Sequence, residues 1–200
     1  MTNDFSYNTI EKPSTAEFKD KGSRFLAYAF PIQTVEEFKT RLAELKKEHP
    51  KAVHHCFAYR LGMDGTIFRS SDDGEPSGTA GKPILGQIDS KELTNVLVII
   101  VRYFGGTLLG VPGLINAYKT SASMALEQMV IIKKDITKSL KLQFDYSLIN
   151  EVMRTLKKFD CEIVKKEVGL FCVFDVSVPI KNFEQFYLLI KSMKGVETLS

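Results

Sequence analysis

Apolar residues recur along this chain with two different periods, and each change of period marks a change of predicted element. Alternation at every second position over residues 23–32 and 53–61 predicts two strands. Between them, an apolar stripe spaced by three and four residues predicts an amphipathic helix, which begins at a Thr34/Glu37 capping box and ends before Pro50. The first part of the chain therefore mixes strands and helices.

The middle of the chain contains a continuously apolar segment, residues 94–101, of the kind found in a central strand buried on both faces. A hairpin turn is predicted at residues 63–66, and the Gly- and Pro-rich segment 70–83 is too irregular in composition for a helix or strand. Residues 105–113 are again rich in glycine. A helix is predicted after them, from about Leu114 to Val130.

The pattern restarts after Asp135 with the order strand, helix, strand, strand, helix, strand. That order is the split βαβ arrangement of ferredoxin-like domains. Residues 1–20 carry no clear period and are interpreted as a lead-in segment. We therefore predict an α+β protein with two domains, residues 21–135 and residues 136–200.

Composition places the chain among ordinary globular proteins, with 44% hydrophobic and 26% charged residues. The N-terminal residues lack the features of a signal peptide, and the longest aliphatic run, residues 96–101, is too short to cross a bilayer. The three cysteines form no CxxC pair, which is typical of a reducing compartment. We expect a cytoplasmic protein with no membrane contact. Because the formal net charge is only +3, any contact with nucleic acid must use a local patch.

One candidate site lies where the predicted central strand meets the following helix. Ligands of α/β layers tend to bind at that end of a strand, glycines let a ligand approach the backbone, and the N–H groups of a helix start attract anions. The alternative is a tight turn in which Arg102 pairs with a structural carboxylate, and the segment alone does not decide between the two. The candidate nucleic-acid or anion-binding residues are Arg102, Tyr103, Phe104, Gly105, Gly106, Gly110, Asn116 and Lys119.

A second candidate is a polar loop whose residues are His54, Asp72, Asp73, Glu75 and Lys82. Carboxylate oxygens bind divalent cations, but the spacing of an EF-hand is absent, and Asp and Gly are also ordinary turn formers. In a third interpretation, Asp72 or Asp73 holds Arg69 or Arg102 in place. His54 and Cys56 share a strand face but lack the second pair of ligands that zinc needs. Since no catalytic motif is present, we assign no catalytic residues, no metal and no cofactor.

Several motifs together resemble one known family. The stretch from Gly81 to Gly110, which includes Arg102-Tyr-Phe-Gly-Gly106, resembles the signature of the IMPACT family, which includes bacterial YigZ. Further matches are Lys21-Gly-Ser-Arg-Phe25, Ala52-Val-His-His-Cys56 and the loop Asp72-Asp-Gly-Glu-Pro-Ser-Gly-Thr-Ala-Gly81. They occur in the order of the family over most of residues 20–130, and the second half is similar to the small C-terminal domain of bacterial members.

The resemblance implies both a fold and a set of functions. The first domain is expected to be similar to domain 2 of ribosomal protein S5 and to domain IV of elongation factor G, and the second to a ferredoxin-like domain. Eukaryotic members regulate translation with the help of an additional N-terminal RWD domain that this chain lacks. For bacterial members the family suggests binding to nucleic acid or the ribosome.

Three functional hypotheses follow from these observations. The first is an RNA- or ribosome-associated binding protein in translation or its regulation, with RNA, the ribosome or a protein of the translation apparatus as partner. The second is an enzyme that acts on a phosphorylated or peptide-like small molecule, with the polar loop around a cleft. The third is a protein-interaction adaptor. A deep pocket with perturbed carboxylates would favour the enzyme, and a broad face with exposed Arg, Lys and aromatic residues would favour a binding protein.

Overall fold

The structure of the chain is a computed structural model that describes residues 5–199. It consists of two compact units. The first contains residues 7–134, and the second contains the described residues 5–6 together with 135–199. In the described part of the chain, no helix is both long enough and apolar enough to span a membrane.

The helices and strands occur in the following order along the chain. As far as α3 and β7 they are β1 (Ser6–Ile10), β2 (Ser14–Asp20), β3 (Ser23–Pro31), α1 (Val35–Glu48), β4 (His54–Leu61), β5 (Ile67–Ser71), α2 (Gly81–Ser90), β6 (Val96–Tyr103), α3 (Gly110–Glu127) and β7 (Ile131–Asp135). The remaining elements are β8 (Thr137–Asp145), a short 3-10 helix (Tyr146–Leu148), α4 (Ile149–Lys158), β9 (Glu162–Glu167), β10 (Phe171–Pro179), α5 (Ile180–Ser192) and β11 (Val196–Leu199). Strands β1 and β7 pair in a two-stranded sheet.

The first unit is built on a five-stranded antiparallel sheet with the strand order β2-β3-β6-β4-β5. Side chains alternate across the sheet, so Cys56 and Ala58 of β4 pack in the cluster that includes α2 and α3. Phe57 and Tyr59 belong to the cluster on the opposite face, where Phe38 of α1 packs against both rings. The central strand β6 is buried on both faces, as its continuously apolar sequence predicts.

The start of α1 shows how local sequence fixes an element here. The hydroxyl of Thr34 accepts a hydrogen bond from the backbone N–H of Glu37, and the Glu37 carboxylate accepts one from the backbone N–H of Gln33. These bonds satisfy backbone donors that a helix start leaves unpaired. Phe38 and Leu45 then form the buried side of the helix. The predicted helix and its cap at Thr34 are confirmed.

The second unit is a four-stranded antiparallel sheet with the order β11-β8-β10-β9. Its core contains alternate residues of β8 and β10, such as Phe144 and Phe174, together with Val152 of α4 and Phe186 of α5. This is the βαββαβ arrangement of a ferredoxin-like domain. The predicted two-domain α+β fold class is therefore confirmed.

The interpretation of residues 1–20 as a loose lead-in is wrong for the part that the structure describes. Residues 14–20 form the edge strand β2, which pairs with β3 from Ser14↔Ala29 to Asp20↔Ser23. Only the inward residues Ala16 and Phe18 pack against the core. Because polar residues flank them on the solvent side of an edge strand, the period-two signal is too short to stand out. Residues 1–4 of the predicted lead-in lie outside the described residues.

Candidate functional site

A buried ion pair joins the end of β6 to the polar loop, here residues 70–83. Nη1 of Arg102 lies 2.5 Å from Oε1 of Glu75, and these residues are only 6% and 8% exposed. The guanidinium carbon is 5.4 Å from the ring centroid of Phe25 and 5.7 Å from that of Phe104. Because both charges are removed from water and paired with each other, the positive charge of Arg102 is neutralised inside the protein.

A hydrogen-bonded chain continues from this ion pair to Cys56. The hydroxyl of Tyr118 donates to Oε1 of Glu75 at 2.7 Å, and the Cys56 thiol is 3.3 Å from that hydroxyl. The thiol also lies 3.0 Å from the carbonyl oxygen of Asp72. Burial raises the pKa of Cys56 and that of Tyr118 far above their ordinary values. Both groups therefore stay protonated, and Cys56 is not a thiolate nucleophile.

The carboxylate of Asp72 organises the polar loop. It accepts backbone hydrogen bonds from Gly78, Ala80 and Gly81, at 2.8 to 2.9 Å. Burial acts to raise the pKa of Asp72, but these backbone donors outweigh it and hold the pKa below its ordinary value. Two of the donors lie at the start of α2, so the carboxylate also caps a helix.

Asp73 and His54 complete the inner side of the loop. The Asp73 carboxylate accepts the backbone N–H of His55 at 2.6 Å, and its carbonyl oxygen lies 2.7 Å from Nδ1 of His54. Lys82 is exposed on the first turn of α2, where its charge acts on Asp72. Within residues 5–199 no group of three or more His, Cys, Asp or Glu side chains is arranged to hold a metal ion. The carboxylates of Asp72, Asp73 and Glu75 each accept hydrogen bonds from other groups of the protein.

The residues predicted to bind nucleic acid or an anion are not on one surface. Arg102 is buried, and Tyr103 lies on the opposite sheet face, where its hydroxyl is 2.9 Å from Nδ1 of His49. Gly105 is required by packing, because a Cβ atom there would lie 1.9 Å from the carbonyl carbon of Gly22. The remaining members, Phe104, Gly106, Gly110, Asn116 and Lys119, are exposed.

Two of the glycines set the course of the chain between β6 and α3. Gly106 has a φ of +85° and Gly110 a φ of +71°, and residues with side chains rarely adopt such angles. The loop between them presents Leu108 to solvent, with 83% of the residue exposed. Glycine here has a conformational role, and Leu108 is the apolar side chain that the loop exposes.

A pocket of about 360 Å³ opens beside this loop. Its base contains His54, Glu75 and Arg102, and its walls are apolar: Val53, Pro76, Phe104, Leu108, Leu109, Val111 and Leu114, with Gly110. Sequence reasoning did not identify the wall residues Val53, Leu108 and Val111. The available signal was weak, since Val53 begins a predicted strand and Leu108 and Val111 lie in the glycine-rich segment 105–113. The structure thus places Arg102 of the first predicted site and Glu75 of the second together at the base of one pocket.

Comparisons with known proteins place this geometry in a family. The family model of the Impact N-terminal domain matches residues 21–126. The IMPACT family member YigZ of Escherichia coli (strain K12) is 34% identical over 176 residues, covering 87% of this chain and 86% of that protein. The Protein IMPACT homolog of Saccharomyces cerevisiae is 35% identical over 114 residues, which cover 54% of this chain and 42% of that protein. A crystal structure of a hypothetical protein superposes with a TM-score of 0.75 at 32% identity, over 98% of this chain and 97% of that one. The chain belongs to the IMPACT family.

Proposed function

We propose that this chain is a binding protein of the translation apparatus that associates with the ribosome or with its RNA. The link to translation rests on the family, whose eukaryotic members regulate translation. The contact is assigned to the β6–α3 surface, which we define as the exposed residues Phe104, Leu108, Val111, Asn116 and Lys119.

The observation that carries this assignment is the exposure of neighbouring apolar side chains around one pocket mouth. Phe104 is 47% exposed, Leu108 83% and Val111 52%, and all three line the same pocket. Single exposed apolar residues are common, but a cluster at a concave site is typical of an interaction surface. An aromatic ring beside polar and cationic residues is suited to the unpaired bases and phosphates of RNA.

The buried ion pair changes how this surface attracts its partner. Since Arg102 is neutralised by Glu75, Lys119 is the exposed cation of the surface, and the electrostatic contribution is small. Each phosphate contact adds roughly one unit to the slope of log affinity against log salt. We therefore expect weak salt dependence and an affinity that depends on shape and apolar contact.

The outward face of the sheet in the ferredoxin-like unit is less suited to RNA than the β6–α3 surface. RNA-binding four-stranded sheets stack bases on aromatic side chains near the sheet centre. On the face of the sheet away from the core, the central positions of β8 and β10 are Gln143, Val173 and Asp175. Asp175 is also paired with Lys141 at 3.5 Å. None of these central positions is aromatic, and the exposed Phe171 of the same face lies at the end of β10, so we assign the contact to the first unit.

A protein-interaction adaptor is the second candidate, and one observation favours it. Around the end of the β9–β10 hairpin, Leu170 is 87% exposed, Phe171 65% and Val168 54%, and Tyr146 next to Leu170 is 54% exposed. Such a cluster is suited to an apolar protein partner. An adaptor that uses this cluster would lose its partner on Leu170→Asp and keep it on Leu108→Asp.

Co-sedimentation with purified ribosomes, at low and moderate salt, tests the proposed function. Association that persists at moderate salt and is absent with an unrelated protein of similar charge is expected. The proposal fails if the protein stays in the supernatant at both salt concentrations.

A further inference from the structure

The base of the pocket contains two hydrogen-bond acceptors that no described residue satisfies. Oε1 of Glu75 accepts from Arg102 and Tyr118, whereas no residue within 5–199 donates to Oε2. Nε2 of His54 lies 3.8 Å from Oε1 of Glu75, too far for a hydrogen bond. Both side chains line the pocket.

The proton position on His54 follows from its other ring nitrogen. Nδ1 lies 2.7 Å from the carbonyl oxygen of Asp73, and a carbonyl oxygen only accepts hydrogen bonds. Nδ1 of His54 therefore carries a proton. In the neutral imidazole this leaves Nε2 as an acceptor.

These acceptors restrict what can occupy the pocket. An aliphatic side chain would fit the apolar walls, but it would bury Oε2 of Glu75 and Nε2 of His54 without donors, which is unfavourable. A carboxylate or phosphate would face Glu75, and an ammonium group would face Arg102. Because the two charges at the base cancel, the suited occupant is neutral and carries N–H donors at one edge, next to an acceptor for the guanidinium of Arg102, whose buried Nε–H has no acceptor among the described residues.

We propose that the pocket binds a nucleobase that carries an exocyclic amino group, supplied by an unpaired base of RNA or by a free nucleotide. This inference rests on the proposed function for the RNA source and names the site at which a base is held. A flat ring with apolar faces matches the walls, among them Phe104, and its amino edge donates to Glu75 and His54. A volume of about 360 Å³ lies in the range of small-molecule sites and has room for a base with part of its ribose.

The acceptor-rich base predicts a preference among the four bases. Adenine, cytosine and guanine each carry an amino group with two N–H donors. Uracil has carbonyl oxygens on both sides of its single N–H, and these would face the oxygens of Glu75. We therefore expect AMP, CMP or GMP to bind about tenfold more tightly than UMP, the size of discrimination that one well-matched base contact provides.

The experiment is a titration of the full-length protein with each of the four nucleoside monophosphates. Binding is measured by NMR or calorimetry, and ribosomes are absent. Leu108→Asp changes a wall residue that is 83% exposed, so the fold is retained and binding should fall about tenfold. Leu188→Asp, on α5 and 70% exposed, is the matched control and should bind as the wild type does.

A second variant tests the base of the pocket. Glu75→Gln keeps an acceptor for Arg102 and Tyr118 but places an amide NH₂ donor in the pocket, so the preference for amino-bearing bases over UMP should shrink. The proposal is overturned if no mononucleotide binds, if UMP binds as tightly as the others, or if Leu108→Asp binds like the wild type. Weak binding of AMP with much tighter binding of an adenine tetranucleotide indicates RNA as the source, and equal affinities indicate the free nucleotide.

The outcome is separable from that of the proposed function. Ribosome association without nucleotide binding would refute the base pocket alone. Nucleotide binding without ribosome association would leave the pocket standing and remove the link to translation.

Discussion

Glu75 and Arg102 meet at 2.5 Å in a part of the first unit that solvent barely reaches. Glu75 belongs to the irregular loop before α2, and Arg102 is near the end of the central strand β6. The pair therefore fastens the loop to the sheet and forms the base of the pocket. A cation that the sequence places at a ligand-binding position thus serves to hold the site together, and we propose that the apolar rim provides the contact surface.

Removal of the Glu75 carboxylate should strongly destabilise the protein. Glu75→Ala leaves the guanidinium of Arg102 buried without its partner, and breaking a buried pair in this way costs about 3–5 kcal/mol. The loss in free energy of unfolding is measured by urea denaturation monitored with circular dichroism. Glu17→Ala, which removes an exposed pair with Arg24, is the control and should leave the midpoint nearly unchanged. Equal midpoints for the two variants would contradict the assignment of Glu75 as a structural anchor.

Asp72 should make stability depend on pH in the acid range. The pKa of Asp72 is lower in the folded protein than in the unfolded chain, so the unfolded chain binds the proton more readily. The ionised carboxylate therefore stabilises the folded protein at pH values above its ordinary pKa of 3.8. That stabilisation is lost as the pH falls through the lowered folded-state pKa. Asp72→Asn should therefore be less stable than the wild type at pH 7, and the difference should shrink at pH 3. A difference in unfolding free energy that is the same at both pH values would refute this role.

Two glycine substitutions should have opposite effects. Gly105→Ala places a Cβ atom 1.9 Å from the carbonyl carbon of Gly22 and 2.1 Å from the backbone nitrogen of Ser23. Because the loop must move to relieve these contacts, the stability of the protein should fall. Gly86→Ala, in the middle of α2, meets no atom within 4 Å and should stabilise the helix by up to about 1 kcal/mol. Thermal unfolding of both variants provides the comparison. A Gly105→Ala protein that melts at the wild-type temperature would contradict the close approach of these segments.

Cys56 should be inert in the native protein. It is fully buried, and burial raises the pKa of its thiol well above the ordinary range. Brief treatment with iodoacetamide at pH 8, followed by mass spectrometry of peptides, should modify the half-buried Cys161 first. The pKa of Cys161 is also raised by burial, to about 11, so its reaction should be slow. Rapid selective modification of Cys56 would instead support a nucleophilic enzyme.

Much of the fold follows from the sequence because its periods are strong. The continuous apolar run of β6 and the capping box of α1 each specify one element, and both are present. The predicted start of one helix is wrong. α3 begins at Gly110 and not near Leu114, because Gly110 and Pro112 allow the chain to enter the helix early.

The site was less accessible to sequence reasoning, since it depends on residues far apart in the chain. The sequence suggests Asp72 or Asp73 as the partner in an internal clamp on Arg102, whereas in the structure Glu75 has that role. All three carboxylates lie within four positions, and only the course of the loop decides which one reaches β6. The apolar pocket wall combines Val53 with Leu108 and Val111, a combination that no local pattern reveals.

Co-sedimentation of surface variants with ribosomes at low salt tests the central claim most directly. Leu108→Asp places a charge on the most exposed apolar side chain of the β6–α3 surface, and Leu188→Asp makes the same change on α5 of the second unit. We expect Leu108→Asp to reduce the bound fraction several-fold and Leu188→Asp to bind as the wild type does. Equal binding by wild type and both variants would contradict the assigned surface, and no binding by the wild type would contradict the proposed function.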